Sequence, residues 1–169
     1  MPRKRVLEPS ELIDALRANM QLLAELSVRY EVGTKTASQD NSGVVISSPA
    51  DVHAVLQDEM ADLAQEQLRV LLLDKKNHLV GRRVIYQGTV SECRVRPAEV
   101  IRPAVVDGLP NVIVVHNHPS GDPTPSHDDI RTTTSLNDAC KLLGIDLLDH
   151  VVIGGDHFAS LKDLGHISD

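Results

Sequence analysis

Apolar positions along the chain change period several times, and each change marks an element. Ser10 can cap a helix in which Leu12, Ile13, Leu16, Met20, Leu23 and Leu26 recur at helical spacing to about Val28. Thr34 to Gly43 is polar and reads as a flexible loop. Ser48-Pro49 starts a second helix with proline at its first position, and Val52, Val55, Leu56 and Met60 form its apolar face. Leu68 to Leu73 is a continuous apolar run broken only by Arg69, which predicts a buried strand. Lys75-Lys76-Asn77 supplies the turn and Leu79 to Gln87 the partner strand of a hairpin. Pro97 to Val106 has helical character but is expected to be split or kinked at Pro103, which cannot donate the helix hydrogen bond. Val112 to Val115 is β-branched throughout and predicts a buried strand. A helix opening at Ser126 runs through Arg131 to Leu143 and meets Gly144, a good C-terminal cap. Ile145 to Ile153 is expected as a strand, Gly154-Gly155 as a turn and Phe158 to Leu161 as a short return strand. The pattern predicts one domain over 48–169, preceded by a helix and loop over 1–47.

Composition narrows the class of protein. With 169 residues the chain can bury a real core, and with aromatic residues at only 2% that core must be built from Val, Ile, Leu and Ala. The formal net charge of −7 argues against a general nucleic-acid binder held by phosphate neutralisation, since Arg3-Lys4-Arg5 is the sole basic cluster and is terminal. No apolar run approaches the roughly 20 residues of a membrane span, and no signal-peptide pattern is present, so a cytoplasmic protein without membrane contact is expected. Cys93 and Cys140 are isolated and read as free thiols. Their spacing also excludes a zinc nucleobase deaminase, which needs a Pro-Cys-x-x-Cys pair.

Chemistry concentrates between Val112 and Ile130. His116 and His118 sit two apart at a strand end, and on extended backbone residues i and i+2 point to the same side. Pro119, Gly121, Pro123 and Pro125 then forbid regular structure and turn the chain back. Ser126 is a helix N-cap and Asp129 the third helical residue, a position that returns a carboxylate to the histidines. Two imidazoles and a carboxylate are the ligand set of a catalytic zinc site that keeps its fourth tetrahedral position open. Asp128 is the competing ligand, but it is rotated by roughly 100° around the helix. Ser126 and Asp129 by themselves would make an ordinary capping box. The same ligand types also define the facial triad of non-haem iron oxygenases. Among the other histidines, His53, His78, His127, His157 and His166 are expected at the surface. His150 follows Asp149 at the start of an apolar stretch, where it can form a satisfied structural pair or hydrogen-bond a ligand from behind.

The order His116-x-His118, seven residues, Ser126, two residues, Asp129 resembles the JAB/JAMM (MPN+) metalloprotease motif. The wording His116-Asn117-His118-Pro119-Ser120-Gly121-Asp122-Pro123, with Pro125-Ser126 and Asp129, is similar to its RadC-like branch, and the similarity extends from about Ser48 to the end. Upstream, Glu66 before Leu68 to Leu73 looks like the family's acidic residue entering its first core strand. Downstream, Leu143-Gly144-Ile145, Asp149 to Gly154 and Ser160-Leu161 look like its closing segment. The resemblance implies a JAB/MPN, cytidine-deaminase-like fold of the α/β (α+β) class: three layers, with a mixed sheet flanked by helices. It also implies one zinc ion on His116, His118 and Asp129, Glu66 as general base and acid, and Ser126 helping to hold the oxyanion. Spacing alone would leave Glu66 an exposed charge, no better than Glu59, Glu92 or Glu99. Two departures stand out: Arg96-Pro97-Ala98-Glu99 replaces the family's usual Pro-Arg-Glu stretch, and Pro103 interrupts the helix after it.

What the resemblance implies for activity is metal-assisted hydrolysis of an amide, with zinc lowering the pKa of its water from 15.7 to about 7 and Glu66 carrying the proton to the leaving amine. Expected substrates are a peptide, the tail of a ubiquitin-like protein or a small amide. RadC-like proteins are associated by name with DNA repair, to which the acidic charge lends little support. The remaining reading is a non-catalytic, metal-stabilised binding module. The N-terminal helix, which lacks a helix-hairpin-helix pattern, is expected to pack on the domain or to join two copies in a homodimer.

Overall fold

The structure, a computed structural model, describes residues 43–88 and 95–168. Three helices and five strands follow in the order α1 (Pro49–Met60), β1 (Gln67–Leu73), β2 (Leu79–Gln87), α2 (Pro97–Asp107), β3 (Asn111–Asn117), α3 (His127–Leu143), β4 (Asp146–Gly154) and β5 (His157–Ser160). The strands form one mixed sheet in the order β2-β1-β3-β4-β5. The β3–β4 pair is parallel and the other pairs are antiparallel. β1 and β3 are buried along their whole length. Their near-continuous apolar sequences therefore reflect helices on both faces, where a half-exposed strand would alternate.

Alternation along the strands sorts the core into two layers. Leu68, Val70, Leu72, Val112 and Val114 face α2 and α3, meeting Val100, Ile101, Ala104, Leu136 and Cys140. Leu71, Leu73, Ile113, Val115, Val151 and Ile153 face α1, meeting Val52, Leu56 and Met60. The result is a three-layer α/β/α arrangement, in agreement with the JAB/MPN expectation. Ile46, just ahead of α1, is 3% exposed and joins the second layer. Val45 there bridges to His78.

Local chemistry explains the helix starts. Ser48 and Ser126 both form complete capping boxes, with Asp51 and Asp129 as the reciprocating residues. Gly144 takes the left-handed conformation at the end of α3.

Several expectations need correction. α2 runs unbroken through Pro103 from Pro97 to Asp107, because Val100, Ile101 and Ala104 anchor both sides of the proline in the core. β3 extends to Asn117, so His116 lies within the strand, not after it. β4 includes Gly154, which moves the turn to Gly155-Asp156. His53 is half-buried, its ring 5.1 Å from that of Phe158. His127 and His157 are exposed, whereas His78 is half-buried and its ring binds the Asp74 carboxylate. Cys140 is a free, buried thiol whose pKa burial pushes up to about 11. The N-terminal helix with its proposed dimer contact, the loop up to residue 42, Glu92 and Cys93 lie outside the described residues. Among the described residues no helix is long and apolar enough to cross a membrane.

Candidate metal centre

The β3–α3 connection carries His116, His118 and Asp129. Alternation places His116 on the α2/α3 face of the sheet, beside Leu68 of β1. His118 follows two residues on, tied to β4 by its own N–H, which donates to the Ile153 carbonyl at 2.8 Å. The loop then folds tightly: the Gly121 N–H donates to the His118 carbonyl at 3.0 Å, and the Thr124 N–H to Asp122 Oδ1 at 2.9 Å. Gly154 of β4 packs directly against this loop; a Cβ there would lie 2.6 Å from Gly121 O and from Pro123 N. Its lack of a side chain is a steric requirement.

The donor atoms converge. His116, His118 and Asp129 each offer one ligand atom, all within 4.8 Å of one another. His116 Nε2 is 3.1 Å from His118 Nε2 and 3.2 Å from Asp129 Oδ1, and His118 Nε2 is 3.5 Å from Asp129 Oδ2. Zn–N bonds of about 2.0–2.1 Å at tetrahedral angles put neighbouring ligand atoms roughly 3.3 Å apart. The separation of the two Nε2 atoms and the distance from each to its nearer Asp129 oxygen bracket that value, so the residue types and their spacing fit a tetrahedral cation. Asp128 does not compete, since it is exposed and paired with Arg131.

Each candidate donor is also held from behind. His118 Nδ1 lies 2.8 Å from the Asp122 carbonyl, which can only accept, so Nδ1 carries the proton and Nε2 is free for a metal. The Ser126 N–H and Oγ both reach Asp129 Oδ2, at 2.7 and 2.6 Å. In this arrangement the Ser126 proton is committed to the carboxylate and leaves Oδ1 turned towards His116. His116 Nδ1 sits 2.9 Å from His150 Nε2, and His150 Nδ1 sits 2.6 Å from Thr133 Oγ1. Of the two readings for His150, hydrogen bonding to a candidate donor, His116, from behind is the one observed. Asp149 does not pair with its ring; the carboxylate accepts instead from Ser160 Oγ and from the backbone of His150 and Lys162.

The electrostatics follow from this geometry. Burial alone would raise the Asp129 carboxyl, but the imidazoles of His116 and His118 beside it and the Ser126 hydroxyl outweigh burial and hold the group well below the usual carboxylate range. The hydrogen bond with Asp129 raises the pKa of His118 against the opposing effect of burial. His150 is pushed the other way, well below the usual histidine range, by burial and then by neighbouring His116. It is therefore neutral.

Glu66 is the remaining functional residue expected, and it precedes β1. The β1–β3 register pairs Leu68 with His116, and two further residues along each chain bring Glu66 level with His118. Its charge contributes to the raised pKa of His118. Its rivals are engaged elsewhere: Glu59 pairs with Arg69 and Arg82, and Glu99 accepts from Tyr86. Sequence reasoning missed Asn117, which alternation turns away from the two histidines. Its Oδ1 accepts from the Gln67 N–H at 2.8 Å and its Nδ2 donates to the Gln65 carbonyl at 3.2 Å. With the Gly88 N–H on the Glu66 carbonyl at 2.9 Å, the backbone on both sides of Glu66 is fixed. Thr133 was missed as well, although it lies one turn after Asp129 on the same helix face.

Comparison with known proteins identifies the family. A family model described as the RadC-like JAB domain matches residues 46–166. The chain belongs to the RadC-like JAB family. This RadC-like chain is 40% identical over 160 residues to a UPF0758 protein of Clostridium perfringens strain 13, covering 95% of its own length and 68% of that relative. To a UPF0758 protein of Staphylococcus haemolyticus it is 42% identical over 142 residues, covering 83% of itself and 62% of the relative. The RadC-like chain thus spans about two thirds of the length of these relatives.

Proposed function

We propose that the domain is a zinc-dependent hydrolase of amide bonds, peptide or isopeptide. The observation that carries this reading is the convergence of two imidazoles and a carboxylate: His116 Nε2 and His118 Nε2 lie 3.1 Å apart, with Asp129 Oδ1 3.2 Å from the first and Oδ2 3.5 Å from the second. Zinc held there would lower the pKa of a coordinated water from 15.7 to about 7 and polarise the amide carbonyl. Glu66 takes the proton released from water and passes it to the departing amine nitrogen. Asn117 supports that role by fixing the backbone from Gln65 to Gln67, the segment that brings Glu66 level with His118. Ser126 orients Asp129 in the resting site, and its hydroxyl can rotate to donate to the carbonyl oxygen as charge develops there. Removal of such a donor typically costs about 10²–10³ in rate.

The substrate class that suits this chemistry is a peptide, the tail of a ubiquitin-like protein or a small amide. The net charge of −7 speaks against a nucleic-acid substrate held by its phosphates.

The test begins with elemental analysis of protein purified without added metal, beside a His118→Ala variant. One zinc per chain, lost in the variant, is expected; site-dependent iron would move the protein to non-haem iron chemistry, and no site-dependent metal would end the hydrolase reading. Peptide and ubiquitin-like amides are then screened with the wild type and Glu66→Gln. The variant is expected to keep zinc and lose turnover, and undiminished turnover would remove Glu66 from the mechanism.

A further inference from the structure

We propose that Thr133 and His150 are positioning residues that set the tautomer of His116 and so aim its Nε2 lone pair at the metal position. The proposal rests on the metal reading of His116, His118 and Asp129, and it follows from counting protons along one chain of contacts. Thr133 Oγ1 has a single proton and lies 2.7 Å from the Asp129 backbone carbonyl, which can only accept. That proton is therefore spoken for. The 2.6 Å contact between Thr133 Oγ1 and His150 Nδ1 must then be made by an Nδ1–H of His150 donating to the hydroxyl.

A neutral imidazole carries one N–H, so with Nδ1 protonated the Nε2 of His150 is a lone pair. His116 Nδ1, 2.9 Å away, has to donate to it. In a neutral His116 ring Nε2 is then the lone pair, and it is this atom that lies 3.2 Å from Asp129 Oδ1. The direction of every bond is thus imposed from the α3 end. A doubly protonated His150 would break the sequence, but the residue is 1% exposed and the neighbouring Asp149 carboxylate accepts from Ser160 Oγ and from backbone N–H groups instead of from the ring. The backbone carbonyl that starts the chain belongs to Asp129 itself, so one ligand's main chain dictates which nitrogen another ligand offers.

Left to itself, His116 would favour the opposite tautomer, since an Nε2–H beside the Asp129 carboxylate makes a charge-assisted hydrogen bond. Thr133 and His150 withhold that proton. The unrelieved approach of two lone pairs to a carboxylate is what a cation at this position satisfies.

The experiment uses Thr133→Val, which keeps the shape but removes the acceptor, and Thr133→Ser, which restores it. Long-range proton–nitrogen NMR of histidine-labelled, zinc-free protein at pH 8 reads the tautomer, and competition with a chelator reads zinc affinity. Wild type and Thr133→Ser are expected to show His116 protonated at Nδ1. Thr133→Val is expected to shift it towards Nε2–H and to bind zinc about 10–100-fold more weakly, the usual range for loss of a partner behind a ligand. An Nε2–H tautomer in the wild type, or wild-type tautomer and affinity in Thr133→Val, would overturn the proposal. A wild type that takes up no zinc yet shows His116 Nδ1–H would instead overturn the metal reading and leave the tautomer assignment standing.

Discussion

Replacing Gly154 by alanine presses a methyl group into the backbone of the loop that carries His118. The added Cβ would lie 2.6 Å from Gly121 O and Pro123 N and 2.8 Å from Asp122 C, where ordinary contact begins at 3.4 Å. These neighbours are main-chain atoms, so no side chain can swing aside. The loop or the end of β4 must retreat by about 0.8 Å, an overpacking that typically costs about 1–3 kcal/mol. His118 Nδ1 is 2.8 Å from the Asp122 carbonyl. A displacement of that size on the carbonyl side carries the contact beyond hydrogen-bond length. His118 then loses the partner that fixes its tautomer, and zinc affinity should fall about 10–100-fold. For a domain of this size the destabilisation corresponds to roughly 2–10 °C in Tm. The assay is chelator competition for zinc beside thermal unfolding of the zinc-free protein. Gly155→Ala is the control: Gly155 has φ +55 with nothing within 4 Å, so alanine there adds backbone strain without touching the loop. Gly155→Ala should lower Tm and leave zinc affinity unchanged. Wild-type Tm and affinity in Gly154→Ala would refute the steric argument, as would an equal loss of affinity in the control.

Asn117→Leu removes both bonds to the segment around Glu66, and the buried Gln67 N–H left without its side-chain acceptor should cost about 1–3 kcal/mol. Zinc content should stay at the wild-type level while turnover falls, as read by elemental analysis and peptide hydrolysis; loss of zinc in this variant would contradict the separation of roles. A pH effect follows from His118. Its folded pKa is raised by Asp129, so its stabilisation of zinc-free protein is complete below the unfolded value of about 6.5 and is lost as pH rises through the folded value. Zinc-free protein should therefore show a lower Tm at pH 9 than at pH 6, with a smaller difference in His118→Gln; an equal difference in the variant would place the effect elsewhere.

The sheet was legible because its strands announce themselves: the Val112–Val115 run can only be a buried strand, and Ser126 with Asp129 can only begin a helix. The candidate metal residues were legible for the same reason, since strand alternation and helix capping together determine where His116, His118 and Asp129 point. Glu66 was different. Its place depends on the β1–β3 register, which no local pattern encodes, and without the family resemblance it looked like any solvated charge. Asn117, Thr133 and His150 act across the sheet or between layers, so their partners become visible only when the strands are assembled. Pro103 misled in the opposite direction: a lost helix hydrogen bond is a local cost, and the burial of Val100, Ile101 and Ala104 in the core outweighs it.

All three candidate donors come from the single stretch between His116 and Asp129, whereas Glu66 and His150 reach it from β1 and β4 across backbone pairings. Grip and reactivity thus have different origins in the chain. A transient opening that frees the β1–β2 hairpin from β3 removes Glu66 and exposes Asn117, yet leaves the loop and its three donors continuous. Under the zinc-hydrolase reading, such an opened molecule would keep its three candidate donors together while lacking the residue assigned to carry the proton.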